Sequence, residues 1–223
     1  MFPISIRSIL PKYHQITRTM ASFSNASTGN KPADPYTEKN LQEPSLTEKV
    51  EDLISFIDRT KFTMMTTRVG NSDLLASRCM ALAAKEGKGL DFLFHTNTES
   101  GKTDDLAAHS SINLAFVNNS GEWASVSGHA SIETGRDLVK KYYSPTLKAW
   151  LGDLGDGKHD GGPEDPRIGI IRVKTSTAQY ATSKKTAVGS AIEVAKGVVT
   201  GEAADVNKLR KISEEEVQQW KAQ

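Results

Sequence analysis

A single cysteine, Cys79, occurs among 223 residues, which excludes an internal disulfide framework and any zinc or iron–sulfur centre built on several thiolates. A reducing compartment suits that composition. No apolar run approaches the roughly 18 residues that cross a bilayer, so a soluble protein with no membrane partner is expected. Charge of one sign is also missing: 28 Lys and Arg stand against 27 Asp and Glu, leaving a formal net charge of +1. Without a basic field, and without basic residues interleaved with aromatics for base stacking, nucleic-acid binding is disfavoured. Neither GxGxxG nor GxxxxGK[ST] is present, which removes the usual dinucleotide and nucleoside triphosphate fingerprints. No internal repeat is evident.

What is present begins with a basic leader. Residues 1–31 hold Arg7, Lys12, Arg18 and Lys31, many Ser and Thr, and no acid before Asp34. That pattern fits a mitochondrial transit peptide; the alternatives, for a cytoplasmic protein, are a disordered extension or an upstream start codon misassigned where the protein begins at Met20. A reporter fused to the first twenty residues distinguishes the two. Residues 20–44 are polar, with Gly29, Pro32 and Pro35, and read as a linker. Order is expected from Ser45, where Ser45-Leu46-Thr47-Glu48 forms a capping box ahead of Leu46, Val50, Leu53, Ile54 and Ile57 on one helical face. Residues before Ser45 are expected to be dispensable for folding.

The period then changes. Residues 61–68 and 74–84 are expected to form a hairpin about Gly70-Asn71-Ser72, and residues 90–96 a strand with Leu90, Phe92, Phe94 and Thr96 on one face. A short helix is predicted over 100–109 and a buried strand over 112–117. Residues 122–134 alternate as a half-buried strand, with Val126, Gly128, Ala130 and Ile132 on one side. A helical pair at 136–143 and 145–151 precedes a Gly- and Asp-rich loop, strands at 167–174 and 178–182, and helices at 187–199 and 214–220, the last behind a second capping box. Strands with hairpin links and brief helices predict a mainly β (α+β) fold, an antiparallel split β-barrel with short flanking helices. The expected organisation is an extension and linker over 1–44 and a domain over 45–223 with a helical C-terminal extension.

The chemistry-bearing stretch is Phe94-His95-Thr96-Asn97-Thr98-Glu99-Ser100-Gly101-Lys102. Here a strand ends in a cluster of hydroxyl and amide groups, and a hydroxyl and an ammonium stand at a helix start, where free N–H groups and the dipole favour an anion. This is the composition of a phosphate seat. The alternative is that Ser100 or Thr98 caps the helix and Lys102 is merely solvated. Asp105 and His109 are four apart on the helix, and His95 and His129 lie in separate strands. Two candidates fall short of a metal set, so no metal site is expected. No histidine or carboxylate is tied to a substrate position, and no catalytic residue is assigned.

With these residues in hand the chain resembles the pyridoxamine phosphate oxidase-like superfamily, specifically its general stress protein branch and the blue-light-inducible proteins of fungi. Phe94, Thr96, Ser100 and Lys102 match its F-x-T-x-x-x-S-x-K pattern. The likeness continues through Met64-Met65-Thr66-Thr67-Arg68, Ser77-Arg78-Cys79-Met80, Val126-Ser127-Gly128-His129-Ala130, Trp150, Glu164-Asp165-Pro166 and Ile170-Ile171-Arg172-Val173. It implies FMN as cofactor, with Ser100 and Lys102 on its phosphate and Arg78, Cys79, Met80, Phe94, His95 and Thr96 along the ring and ribityl chain. Trp150 is implied to sit near the flavin, reaching it from a second subunit of a homodimer that holds the flavin at its interface. Alone, Arg78 reads equally as a surface salt bridge, Met80 as core, Cys79 as inert buried packing and Trp150 as packing on the barrel. Many relatives have proline where Cys79 stands, and a tryptophan where Ala181 follows Tyr180. The implied function is FMN-dependent oxidoreduction with an unknown small-molecule electron donor or acceptor, or non-catalytic flavin binding or buffering.

Overall fold

The structure is a computed structural model that describes residues 28–223. The transit-peptide reading and the choice between Met1 and Met20 lie outside the described residues. The chain divides into a unit spanning Met1–Ala33, of which residues 28–33 are described, and a unit spanning Asp34–Gln223. In the first, Thr28 Oγ1 closes a turn on the Lys31 carbonyl at 2.7 Å.

The second unit runs α1 (Pro35–Asn40), α2 (Leu46–Thr60), β1 (Phe62–Arg68), β2 (Leu75–Ala81), β3 (Ala84–Glu86), β4 (Asp91–Asn97), α3 (Gly101–Ala108), β5 (Ser111–Val117) and β6 (Trp123–Glu133). It continues with α4 (Arg136–Tyr142), α5 (Leu147–Leu151), β7 (Ile168–Ser183), α6 (Ala187–Thr200), β8 (Asn207–Ile212) and α7 (Glu214–Ala222). One sheet holds every strand in the order β2-β1-β5-β6-β7-β4-β3, with β8 added to β7. All its strand pairs are antiparallel, so the curled sheet is the split half-barrel expected from the sequence.

α2 forms as its spacing predicts and lays Val50, Leu53, Phe56 and Ile57, all fully buried, against the inner face of the sheet. Phe92, Phe94 and Phe116 meet them there, and burial of this kind contributes about 1.5–3 kcal/mol per large side chain. Only half of the first capping box closes: the Glu48 amide donates to Ser45 Oγ at 3.2 Å, while the Glu48 carboxylate turns to Arg210. The second box, Ser213 with Glu216, is complete. A smaller cluster on the outer side packs Leu93, Ile168 and Ile170 under Val139 of α4.

Three departures from the sequence reading have physical causes. The expected strands 167–174 and 178–182 are one strand, β7, bent by a register shift opposite Ser127 and Gly128. A Cβ at Gly128 would stand 2.1 Å from the Lys174 carbonyl oxygen, so this close approach requires glycine. Before the bend β7 pairs with β4, and after it with β8. The stretch expected as one strand over 74–84 is divided into β2 and β3, the latter pairing with β4. Residues 34–44, read as linker, are part of the folded unit: buried Asn40 donates to the Ala204 carbonyl at 2.9 Å and accepts from the Val206 and Asn207 amides. The folded unit therefore includes about ten residues ahead of Ser45, and these hold the chain where it re-enters the sheet as β8.

Candidate functional site

The open side of the half-barrel lies between β2 and the end of β4, and there a cleft of about 540 Å³ is walled by Cys79, Met80, His95, Thr96, Asn97 and Lys102, with Phe62, Ala81 and residues of α5. The size suits a small organic ligand. Its anionic end is built by the turn from β4 into α3. The Asn97 carbonyl accepts from the Ser100 amide and hydroxyl, at 3.2 and 2.7 Å, and the Asn97 side chain accepts from the Glu99 amide at 2.9 Å. That knot fixes the start of α3, whose Lys102 lines the cleft.

Ser100 precedes α3 with extended backbone angles, but its hydroxyl makes no capping bond to the helix. It instead receives the Lys102 ammonium at 2.8 Å. The bland reading of Ser100 as a cap is thus not what this geometry shows, and Lys102 is half-buried instead of freely solvated. Burial, and then the nearby charge of Arg78, hold the Lys102 ammonium below its ordinary pKa. Among the described residues Lys102 meets no carboxylate within ion-pair range. Arg78 is one step behind, bonded to Thr67 Oγ1 at 2.9 Å and to buried Asp105 at 2.9 Å. Although burial pushes the Asp105 carboxyl up, the Gly70 amide and the Arg78 guanidinium together hold it below the usual range. Asp105 is therefore taken up by Thr67, Gly70 and Arg78, and among the described residues no three metal-ligating side chains come together.

The remainder of the cleft is apolar with a few polar groups. His95 projects from β4 to the side covered by α4, and its Nε2 donates to the Tyr142 carbonyl at 2.8 Å. A carbonyl only accepts, so the neutral ring carries its proton on Nε2 and keeps Nδ1 as an acceptor. Burial pushes its pKa down, favouring that neutral form. Trp150 stands on the rim, 86% exposed. The rim is pinned from below, where Arg167 donates to the Leu151 and Gly152 carbonyls at 3.0 and 2.8 Å and is itself clamped by the fully buried Asp165.

The structure thus brings together Cys79, Met80, His95, Thr96, Lys102 and Trp150 on one cleft, with Ser100 as the partner of Lys102. It does not bring Phe94, which is fully buried among core aromatics on the inner face, and it places Arg78 behind the wall on Asp105. Cys79 is exposed and not buried packing, because the outer face of β2 is uncovered. Phe62, Asn97 and Leu147 line the cleft without having been singled out. Asn97 was inside the quoted stretch, and the outward parity of β1 was the available signal for Phe62. Ala181 is buried and pairs with Trp123, so an aromatic stands across from the position where relatives carry one.

Comparison with known proteins decides the lineage. The sequence profile described as pyridoxamine 5'-phosphate oxidase like matches residues 48–205. The chain belongs to the pyridoxamine 5'-phosphate oxidase-like family. Protein bli-3 of Neurospora crassa is 63% identical over 202 residues, covering 90% of this chain and 97% of that protein. A Jannaschia sp. CCS1 protein with the provisional name general stress protein 26 shares the fold at a TM-score of 0.54 and 17% identity, over 75% of this chain and 99% of its own. The general stress FMN/FAD binding protein of Xanthomonas citri is similar at 20% identity and a TM-score of 0.49, over 60% and 88% of the two chains. Within the family's matched span fall the whole cleft and the cation pair Arg78 and Lys102.

Proposed function

We propose that the cleft binds a flavin, specifically FMN, and that the protein is a stress-related flavoprotein with oxidoreductase capacity. The observation that carries this reading is the unmatched positive charge of Lys102 at the helix start, next to Ser100, at the end of a largely apolar slot. That donor set fits a phosphate ester of an aromatic ring system, and the family relationship supports the flavin. When bound, a flavin supplies electron transfer to or from a small molecule. The residues do the placing: Lys102 and Ser100 anchor the phosphate, Met80, Phe62 and Leu147 exclude water, and His95 presents Nδ1 as a hydrogen-bond acceptor.

The decisive measurement is a pair of fluorescence titrations on wild type and Lys102→Ala. FMN affinity is expected to fall by about ten- to a hundredfold, the worth of a charge-assisted contact of about 1.5–3 kcal/mol. Riboflavin affinity is expected to stay put, since it lacks the phosphate. Equal FMN affinity in both proteins overturns the phosphate seat. Turnover with reduced nicotinamide or a pyridoxine vitamer then separates an oxidoreductase from a flavin-binding or flavin-buffering protein. The cleft walls carry no Asp or Glu among the described residues, which gives the second reading its standing.

The same reading includes a homodimer with the flavin at the subunit interface. Phe62, Met64, Leu75 and Val117 are exposed on the outer face of β1, β2 and β5, and Trp150 is exposed on the cleft rim. A two-fold partner would cover both. Light scattering is expected to give twice the chain mass at micromolar concentration, and a monomer that retains flavin refutes the shared site.

A further inference from the structure

α6 is an amphipathic helix turned inside out. Its less exposed positions are Gly189, Ser190, Glu193 and Gly197, whereas Val188, Ile192, Val194, Val198 and Val199 are between 51% and 86% exposed, and no residue of the helix is fully buried. At 100° per residue those five side chains fall in one arc, opposite the side that carries Glu193 and Gly197, with Lys196 at its edge. Soluble helices place such an arc against their own core. α6 faces it outward.

Its sequence does not explain its persistence. Four valines, one isoleucine and two internal glycines make a poor helix former, and an isolated helix of this length is marginal in water even with good residues. What fixes it here is its ends: Thr186 caps the start on the Gly189 amide, Gly201 closes the finish in a left-handed turn, and Asn40 of α1 clamps the return that follows. A stable α6 therefore calls for a cover on its apolar arc.

We infer that α6 is a dimerisation helix whose outward arc docks on a second copy of this chain, in the same interface as the exposed outer face of β1, β2 and β5; the inference rests on the homodimer reading above and assigns its partner-facing element. The exposed apolar arc amounts to on the order of 500 Å², the size at which a patch marks an interaction site. With Phe62, Met64, Leu75 and Val117 the total approaches the roughly 800 Å² that each partner gives to a standard interface. The chain connects the two surfaces closely, since α6 begins a few residues after Ala181 of β7, which pairs with Trp123, which pairs with Val117. The arc offers a partner no charge, because Glu193, the helix's single acid, is held by Lys185 and lies within 4.0 Å of Lys196. An uncharged partner surface of the same kind is what a two-fold axis supplies. A membrane surface fits less well: interfacial helices set Trp, Phe or Leu on the apolar side and rows of Lys and Arg on the polar side, and α6 has none of those apolar residues and a single lysine.

The test compares wild type with Ile192→Glu/Val199→Glu by light scattering and analytical sedimentation, with circular dichroism to confirm folding. A dimeric wild type and a folded variant whose dimer dissociates about a hundredfold more readily support the inference. A dimeric wild type with an equally tight dimeric variant overturns the role of α6 and leaves the homodimer reading intact. A monomeric wild type overturns both. Hydrogen exchange on the wild type keeps the question answerable where the variant misfolds: amides of residues 187–200 should lose protection on dilution from micromolar to nanomolar, and protection unchanged by dilution counts against docking. Co-sedimentation of wild type, but not the variant, with phosphatidylcholine vesicles containing phosphatidylserine overturns the inference in favour of a membrane surface.

Discussion

Two places in this molecule bury a lysine and an arginine, and they balance them in opposite ways. Beneath α2, Lys49 meets Glu43 and Glu216, and Arg210 meets Glu48 and Asp52, so two cations face four carboxylates. At the cleft, Arg78 pairs with the single carboxylate of Asp105, and Lys102 pairs with none among the described residues. The first arrangement joins α2, β8 and α7 and leaves no cation unmatched. The second leaves a desolvated ammonium beside a second positive charge, a state that the fold alone does not reward and that an anion would relieve. Net countercharge, and not burial or the presence of basic residues, separates the network that holds the fold from the one suited to a ligand.

The comparison breaks most visibly at Arg210. Replacing it with alanine removes a 1%-exposed side chain that also meets the Tyr180 hydroxyl, and is expected to cost about 3 kcal/mol in denaturant unfolding with flavin absent. A loss under 1 kcal/mol would mean that the two ends do not differ as described. Next comes Asp165, a matched pair with Arg167 placed beneath the cleft rim. The Arg167 guanidinium, against the opposing effect of burial and with help from the Arg167 and Gly161 amides, holds its carboxyl at about 2. A depressed value contributes stability that is complete above the unfolded pKa and is lost as pH falls from about 4 toward 2. Wild type should therefore exceed Asp165→Asn by about 2 kcal/mol at pH 6, and the gap should narrow through that acid window. A gap constant from pH 6 to pH 2 would remove the ion pair as its cause.

The smallest effect is the most discriminating. Lys102→Met in the flavin-free protein should change unfolding free energy by no more than about 0.5 kcal/mol, in the stabilising direction, because it relieves an unmatched charge. The same substitution should still weaken FMN. Destabilisation comparable to that of Arg210→Ala would place Lys102 among the structural cations.

Much of the barrel could be read from periodicity, because most of its inward residues are apolar. α2, β4, β6 and α7 follow from their spacing and caps. β8 did not stand out, since one of its two buried side chains is Arg210 and an inward cation mimics a solvent-facing position. The anchoring of residues 34–44 escaped for the same reason: it depends on buried Asn40, a polar residue with no period. At the site, the alternation of β4 set Phe94 on the inner face beside Phe92, and that is where it packs. For Cys79 the parity was right and the burial was not, because one strand does not reveal whether its second face is covered. The surplus charge at Lys102 was beyond linear reading altogether, since it depends on Asp105 choosing Arg78.

β7 has a consequence for synthesis on the ribosome. It is the shared neighbour of β4, β6 and β8, and it lies between residues 168 and 183, late in the chain. Until it emerges, β4 has only the three-residue β3 for a partner and cannot be joined to the sheet formed by β1, β2, β5 and β6. Pairings of such long sequence separation form slowly, and their unpaired edges remain open to other chains meanwhile. A nascent chain stalled before β7 should therefore depend on chaperones and be unable to capture ligand, whereas emergence of β7 lets both sides of the cleft close in one event.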